Sequence, residues 1–126
     1  MMSKILKNIS SFLPLSVNTI TWDDPTLMLR GNGWSFSTIG SWRIVTSRCV
    51  VCGCYDQDTS QVLLELQSTK IISLEIQSTQ LPIDPVFTFS NGSKLEIFST
   101  TYLEPWILDF SSGTVYVASP SDPKNV

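Results

Sequence analysis

The chain carries the same β-forming pattern twice, and this duplication constrains its fold more than any other feature. When the segment that starts at Ile9 is laid on the one that starts at Leu63, an offset of 63 − 9 = 54, apolar residues coincide at five of fourteen positions. Each copy then reaches an Asp-Pro, a short alternating run, an Asn-Gly and a Trp that opens another apolar run. Alternation is typical of strands, and Asn-Gly of hairpin turns. Residues shared by both copies are expected to serve the fold, so function is expected where the copies differ.

This pattern predicts a mainly β protein of two pseudo-repeated antiparallel β units, forming a sandwich or a half-barrel. One or two short helices are expected, an amphipathic one in residues 1–12 and a second from Thr59 or Ser60 to Leu66, although the latter run also fits a strand. The 126 residues suit a single domain. The units span about 1–56 and 59–118, and 119–126 is expected to be a frayed tail.

Composition limits the class of partner. The net charge is −3, with 42% hydrophobic and 15% charged residues, which suits a packed core. The basic residues are scattered, so nucleic acid is not an expected partner, because phosphate binding needs clustered Lys and Arg. The chain has no run of about 18 apolar residues, so no transmembrane helix is expected. The N-terminus does not resemble a signal peptide. A cytoplasmic protein without a membrane partner is the expectation.

Three cysteines, Cys49, Cys52 and Cys54, lie within six positions. Thiolates bind zinc, but a fourth ligand would have to be a carboxylate such as Asp56, because the chain has no His. Strand alternation instead places Cys52 and Cys54 on one face of a buried strand and Cys49 on the other. We therefore expect core thiols, no disulfide framework, no metal and no cofactor.

The absence of His also limits catalysis, because it removes the commonest general base near neutral pH. Two carboxylate pairs could still serve a hydrolase, Asp23 with Asp24 and Asp56 with Asp58. The first belongs to an Asp-Pro that recurs in the second copy and so indicates turn chemistry. The second lies in the linker between the units. No enzymatic activity is expected, and a carboxylate-dependent hydrolase is the least favoured alternative.

Differences between the copies select five candidate partner-binding residues. The inter-unit loop contributes Asp56 and Asp58, and an insertion in the second copy contributes Tyr102 and Glu104. Trp34 has no aromatic counterpart, because the second copy has a serine there. Trp and Tyr dominate binding hot spots, although such aromatic residues could also simply pack locally.

A resemblance adds a functional expectation. The stretch 89–98, Phe-Ser-Asn-Gly-Ser-Lys-Leu-Glu-Ile-Phe, is followed by Tyr-Leu-Glu-Pro-Trp at 102–106. In this pattern the chain resembles a family of small bacterial duplicated-β proteins associated with polymorphic toxin loci. The first half matches more loosely, with Ile39-Gly-Ser41 in place of the Tyr-x-Glu lead-in to the Trp.

The resemblance implies an immunity protein of the contact-dependent growth inhibition type. Such a protein would bind a basic cognate toxin domain and neutralise it by occluding its active site. The shared motif is structural, so it carries over no binding residues. The alternative from a different class is a self-assembling structural or interaction module that associates through an exposed strand edge.

Overall fold

The computed structural model describes residues 2–122, with side chains from Lys4 onward. Met1, in the predicted N-terminal helix, and residues 123–126, in the predicted tail, lie outside the described residues. The described elements, in chain order, are α1 (Met2–Asn8), a 3-10 helix (Ile9–Ser11), β1 (Leu15–Ser16), β2 (Thr19–Asp23), β3 (Thr26–Gly31), β4 (Trp34–Thr38), β5 (Ser41–Thr46), β6 (Cys49–Gly53), α2 (Thr59–Leu66), β7 (Lys70–Ile76), β8 (Pro85–Phe89), β9 (Lys94–Phe98), β10 (Trp106–Phe110) and β11 (Val115–Val117).

The strands form two antiparallel sheets, and this confirms the mainly β prediction. One sheet has six strands in the order β1-β7-β8-β9-β5-β6, and the other has five in the order β11-β10-β4-β3-β2. The two sheets do not close into a barrel and are consistent with the sandwich, the first of the two predicted arrangements.

Each sheet combines strands from both halves of the chain. Strands β2, β3 and β4 are completed by β10 and β11, whereas β7, β8 and β9 are completed by β1, β5 and β6. The chain therefore crosses between the sheets at the same point of each half, at residues 39–40 and 99–105, and it crosses once more at 17–18, between β1 and β2. Neither half has a complete sheet of its own, so the apolar faces become buried only when both halves fold together.

Strand pairing shifts the repeat by two residues from the sequence alignment. Trp22 lies opposite Leu27, and Leu74 lies opposite Phe87. Leu27 and Phe87 each stand two residues beyond the proline of an Asp-Pro, so Trp22 corresponds to Leu74, at an offset of 74 − 22 = 52. A shift of two leaves every side chain on the same face, so a pattern with a period of two does not reveal it.

Aromatic side chains join the two sheets in the core. Phe36 meets Phe87 edge to face with ring centroids 4.8 Å apart, and Trp22 meets Trp42 in the same way at 5.3 Å. Each such pair contributes about 0.5–1.5 kcal/mol beyond its area burial. Trp42 and Trp106, which follow equivalent crossings, are each 2% exposed. The sequence expectation that both serve the fold agrees with this burial.

The helices cover the open sides of the sandwich. Helix α1 buries Ile5 and contacts β7, and the 3-10 helix that follows buries Ile9, at i+4 from Ile5. Helix α2 buries Leu63 and Leu66 and contacts both β2 and β6, the neighbouring edges of the two sheets. Its N-cap residue is Asp58 rather than Thr59 or Ser60. No helix in the described range is long and apolar enough to cross a membrane.

The sandwich has two distinct ends. The crossover end carries the crossings at 39–40 and 99–105 and three other connections, at 24–25, 54–58 and 77–84. The hairpin end carries the turns of four hairpins, at 32–33, 47–48, 90–93 and 111–114. The side chains that could take part in binding lie at these two ends.

Candidate interaction surface

Four of the five predicted partner-binding residues lie at the crossover end. Asp56 and Asp58 occupy the segment between β6 and α2, and Tyr102 and Glu104 occupy the crossing from β9 to β10. All four are exposed, and Tyr102 retains 75% of its accessible surface. Residues 46 positions apart in sequence therefore share one end of the molecule (102 − 56 = 46).

Trp34 is placed differently from the prediction, because it lies in the core at the hairpin end. It is 5% exposed, and its indole N–H donates a hydrogen bond of 3.0 Å to the Ser16 carbonyl. Gly31 allows this arrangement, since a Cβ at position 31 would collide with both the Ser16 oxygen and the Trp34 indole. Trp34 also shares the core-facing register of Phe36 on β4. It packs locally, the alternative considered for it, and is not an exposed anchor.

Asp56 and Asp58 differ in how far their carboxylates are engaged. Asp56 Oδ2 accepts a 2.7 Å hydrogen bond from the Gly53 N–H and so closes the turn that follows β6. Asp58 occupies the N-cap position of α2 but makes no side-chain capping bond. The Asp58 charge is therefore available to a partner, while Asp56 also holds the local backbone.

Tyr55 is an exposed aromatic residue that the sequence argument missed. It retains 74% of its accessible surface, and its ring packs against Trp22 with centroids 6.2 Å apart. The neighbouring carboxylate of Asp24 raises the pKa of the Tyr55 hydroxyl. Comparison of the two copies could also have identified Tyr55. Tyr55 follows the last strand of the first copy, and residues 118–122, which follow the last strand of the second copy, contain no aromatic residue.

The second insertion forms a surface groove at the crossover end. Tyr102, Leu103 and Glu104 line a groove of about 490 Å³ together with serines of the C-terminal segment. Glu104 also lines a smaller pocket with Thr26 and Ile39. Thr26 directly follows the β2–β3 turn, and Asp24 of that turn interacts with Tyr55, so this turn lies between Glu104 and Tyr55 at the crossover end. We call this surface the acidic rim, and it comprises Asp23, Asp24, Tyr55, Asp56, Asp58, Tyr102, Leu103 and Glu104.

Opposite charges concentrate at the two ends. The five connections of the crossover end contain no Lys or Arg, whereas they contain Asp24, Asp56, Asp58, Asp84 and Glu104. The hairpin end carries four exposed basic residues, Arg30, Arg48, Lys70 and Lys94. Arg43 is paired with Glu96 at 2.5 Å on the outer face of the six-stranded sheet. The charges behind the net value of −3 are thus distributed unevenly between the two ends, with Asp109 beside Arg30 at the hairpin end.

Cys52 and Cys54 are buried and Cys49 is not, as strand alternation predicted, but β6 is an edge strand rather than a buried one and Cys54 directly follows it. Cys52 and Cys54 are 2% and 7% exposed, whereas Cys49 is exposed. Burial, followed by the nearby carboxylates of Asp56 and Asp58, raises the pKa of the Cys52 thiol. Among the described residues, no group of three or more His, Cys, Asp or Glu side chains could hold a metal ion.

Comparison with known proteins gives no relative: no family model matches the chain, and no curated protein or solved structure is significantly similar. The fold, the acidic rim and the sequence resemblance are therefore the features from which a function can be inferred.

Proposed function

We propose that this protein is a cytoplasmic immunity protein that binds a basic toxin domain through the acidic rim and occludes its active site. The observation that carries the proposal is the separation of charge between the two ends. Toxin domains that act on nucleic acids or other anionic substrates need basic clefts. An acidic rim complements such a cleft and speeds association by electrostatic steering.

Exposed apolar side chains within the rim give it the composition of an interface. Tyr55 and Tyr102 are three-quarters exposed, and Leu103 is 62% exposed. Binding energy concentrates in a few aromatic anchors surrounded by polar residues. In this proposal the carboxylates direct the approach of the partner, and the two tyrosines and Leu103 stabilise the final complex.

The rim is also held in place before binding. The Thr38 hydroxyl donates to the Pro105 carbonyl at 2.8 Å and ties the two crossings together. The Ser99 N–H donates to Asp84 Oδ1 at 2.9 Å and ties the second crossing to the loop before β8. A preorganised loop loses less conformational entropy on binding, so more of its contact energy contributes to affinity.

Growth rescue tests this proposal. The product of the adjacent upstream gene would be expressed in bacteria with and without this protein, since the resemblance is to proteins of toxin loci. We expect the neighbour to arrest growth, co-expression to restore it, and the two proteins to purify as a complex. A neighbour that arrests growth equally in the presence of this protein would contradict the immunity function.

A second candidate is self-assembly through a strand edge. Strand β6 ends the six-stranded sheet, and its Val50 and Val51 side chains are 58% and 48% exposed. Helix α2 contacts β6 but leaves Val50 and Val51 exposed, and an edge strand that is only partly covered can pair with another copy. Sedimentation at rising concentration distinguishes this case, because association that Val51→Lys abolishes would favour self-assembly over the immunity function.

A further inference from the structure

The turn between β5 and β6 differs from the other three turns at the hairpin end. Those three contain a glycine with positive φ, namely Gly33 at 80°, Gly92 at 90° and Gly113 at 104°. The β5–β6 turn instead places Ser47 at 51° and Arg48 at 68°. Positive φ is unfavourable for residues with a Cβ, and Asn-Gly is the favoured pair in two-residue hairpin turns.

The chain itself uses Asn-Gly at 32–33, so a less strained solution for a two-residue turn exists within the same fold. Strained backbone that persists without a folding benefit is often found at binding sites. The side chains of Ser47 and Arg48 are therefore candidates for a role beyond the turn.

The β5–β6 turn borders a cavity together with the adjacent β8–β9 turn. This cavity has a volume of about 240 Å³ and is lined by Val45, Thr46, Ser47, Arg48, Gly92 and Lys94. Hydroxyl groups lie along it, and Thr46 Oγ1 is 3.4 Å from Ser93 Oγ. The space therefore brings two cations and several hydrogen-bond donors together.

Neither cation at this cavity has an anionic partner within the described chain. The one ion pair among the described residues joins Arg43 to Glu96. Lys94 is two residues from Glu96 on the same strand, but that carboxylate is already engaged by Arg43. Arg48 and Lys94 are both exposed, so their charges remain available to a ligand.

We propose that Ser47, Arg48 and Lys94 form a binding site for a phosphate-type oxyanion. The planar guanidinium of Arg48 suits bidentate contact with two oxygens, and the Lys94 ammonium supplies the second positive charge. The Ser47 hydroxyl donates a further hydrogen bond. A dianion balances both cations, whereas a single carboxylate balances one. The site lies opposite the acidic rim and does not depend on the proposed function.

Titration with inorganic phosphate tests the site. Amide resonances of the isotope-labelled protein would be followed by NMR while sodium chloride keeps the ionic strength constant. We expect saturable shifts at residues 46–48 and 92–94. Lys94→Gln should weaken the apparent affinity about tenfold, as expected for loss of a charge-assisted hydrogen bond. Arg30→Gln removes a cation from the same end outside the cavity and should leave the affinity unchanged.

The double variant Ser47→Asn with Arg48→Gly separates ligand binding from folding. It installs the favoured turn sequence, so its thermal midpoint should rise, by about 3 °C or more. The same variant should lose saturable phosphate binding. Binding that persists in this more stable variant, shifts that never saturate in the wild type, or equal weakening by Arg30→Gln would each overturn the proposal.

Discussion

The Tyr55 ring packs against the Trp22 ring with centroids 6.2 Å apart, and the Trp22 ring packs against the Trp42 ring with centroids 5.3 Å apart. Trp22 belongs to the five-stranded sheet and Trp42 to the six-stranded sheet. The exposed tyrosine is therefore supported by a pair of aromatic residues that joins the sheets. This contact connects the core of the sandwich to the acidic rim.

Replacing Tyr55 with Ala should separate binding from stability. Because the side chain is 74% exposed, the free energy of unfolding should change by less than about 1 kcal/mol. Affinity for the partner should fall at least about tenfold, as for a hot-spot aromatic. Val115→Ala is the control, since Val115 is half exposed but lies at the hairpin end. Equal affinities for the two variants would remove Tyr55 from the interface.

Asp56 and Asp58 should respond differently to Ala and to Asn. Asp56→Ala removes the acceptor of the Gly53 N–H and should cost about 1 kcal/mol in urea denaturation. Asp56→Asn keeps an acceptor and should cost less, and Asp58→Asn should lose only a few tenths because its carboxylate makes no cap bond.

The double Asn variant should nevertheless slow association with the partner, since it removes two charges from the acidic rim. The Asp56 hydrogen bond makes Asn the cleaner substitution. An association rate equal to that of the wild type would exclude this segment from the binding surface.

Trp42 and Trp106 offer a matched comparison of two buried indoles. Trp106 donates its N–H to the Ile83 carbonyl at 3.1 Å, whereas the Trp42 N–H has no partner. Both are 2% exposed, so replacement by Phe leaves a similar cavity in each case. Trp106→Phe should destabilise the protein by about 1 kcal/mol more than Trp42→Phe, because it also loses a hydrogen bond. Denaturant unfolding of the two variants checks this, and the opposite ranking would contradict it.

Cys52 should weaken the fold at alkaline pH. Burial and the carboxylates of Asp56 and Asp58 raise its pKa above the ordinary value of 9.0. Below that value the thiol is protonated in both the folded and the unfolded chain, and its contribution to the free energy of unfolding is fully present. Above it, the unfolded chain loses the proton first, so stability falls as pH rises.

Cys52→Ala should therefore flatten the decline in the free energy of unfolding above pH 9.0. A thiol-reactive dye should modify Cys49 rapidly, because it is exposed, and the two buried thiols only on unfolding. An unchanged alkaline slope in the variant, or rapid modification of all three thiols, would contradict this account.

Local features of the fold were accessible from the sequence. The Asn-Gly pairs predicted hairpin turns, and Gly33 and Gly92 lie in the turns between β3 and β4 and between β8 and β9. The choice of helix over strand for α2 was also correct, because Leu63 and Leu66 share one buried face. These features depend on periodicity and turn residues, which act over short distances.

The pairing of strands from different halves of the chain could not be predicted from such local patterns. Strand β4 pairs with β10, and β5 pairs with β9, but apolar alternation says which face is buried and not which strand is adjacent. The burial of Trp34 depends on the close approach of Ser16 at Gly31, a non-local contact. Tyr55 gains its position from Trp22, which is 33 residues away (55 − 22 = 33).

The most direct test of the acidic rim is the rate of association with the adjacent gene product, measured by stopped flow at low and high salt. Asp56→Asn with Glu104→Gln neutralises two rim charges, and Glu65→Gln with Asp109→Asn neutralises two acidic residues outside the rim. We predict that the rim variant associates about tenfold more slowly at low salt, that this difference shrinks at high salt, and that the control pair has little effect. No association with the wild type, or equal slowing by both pairs, would contradict binding through the acidic rim.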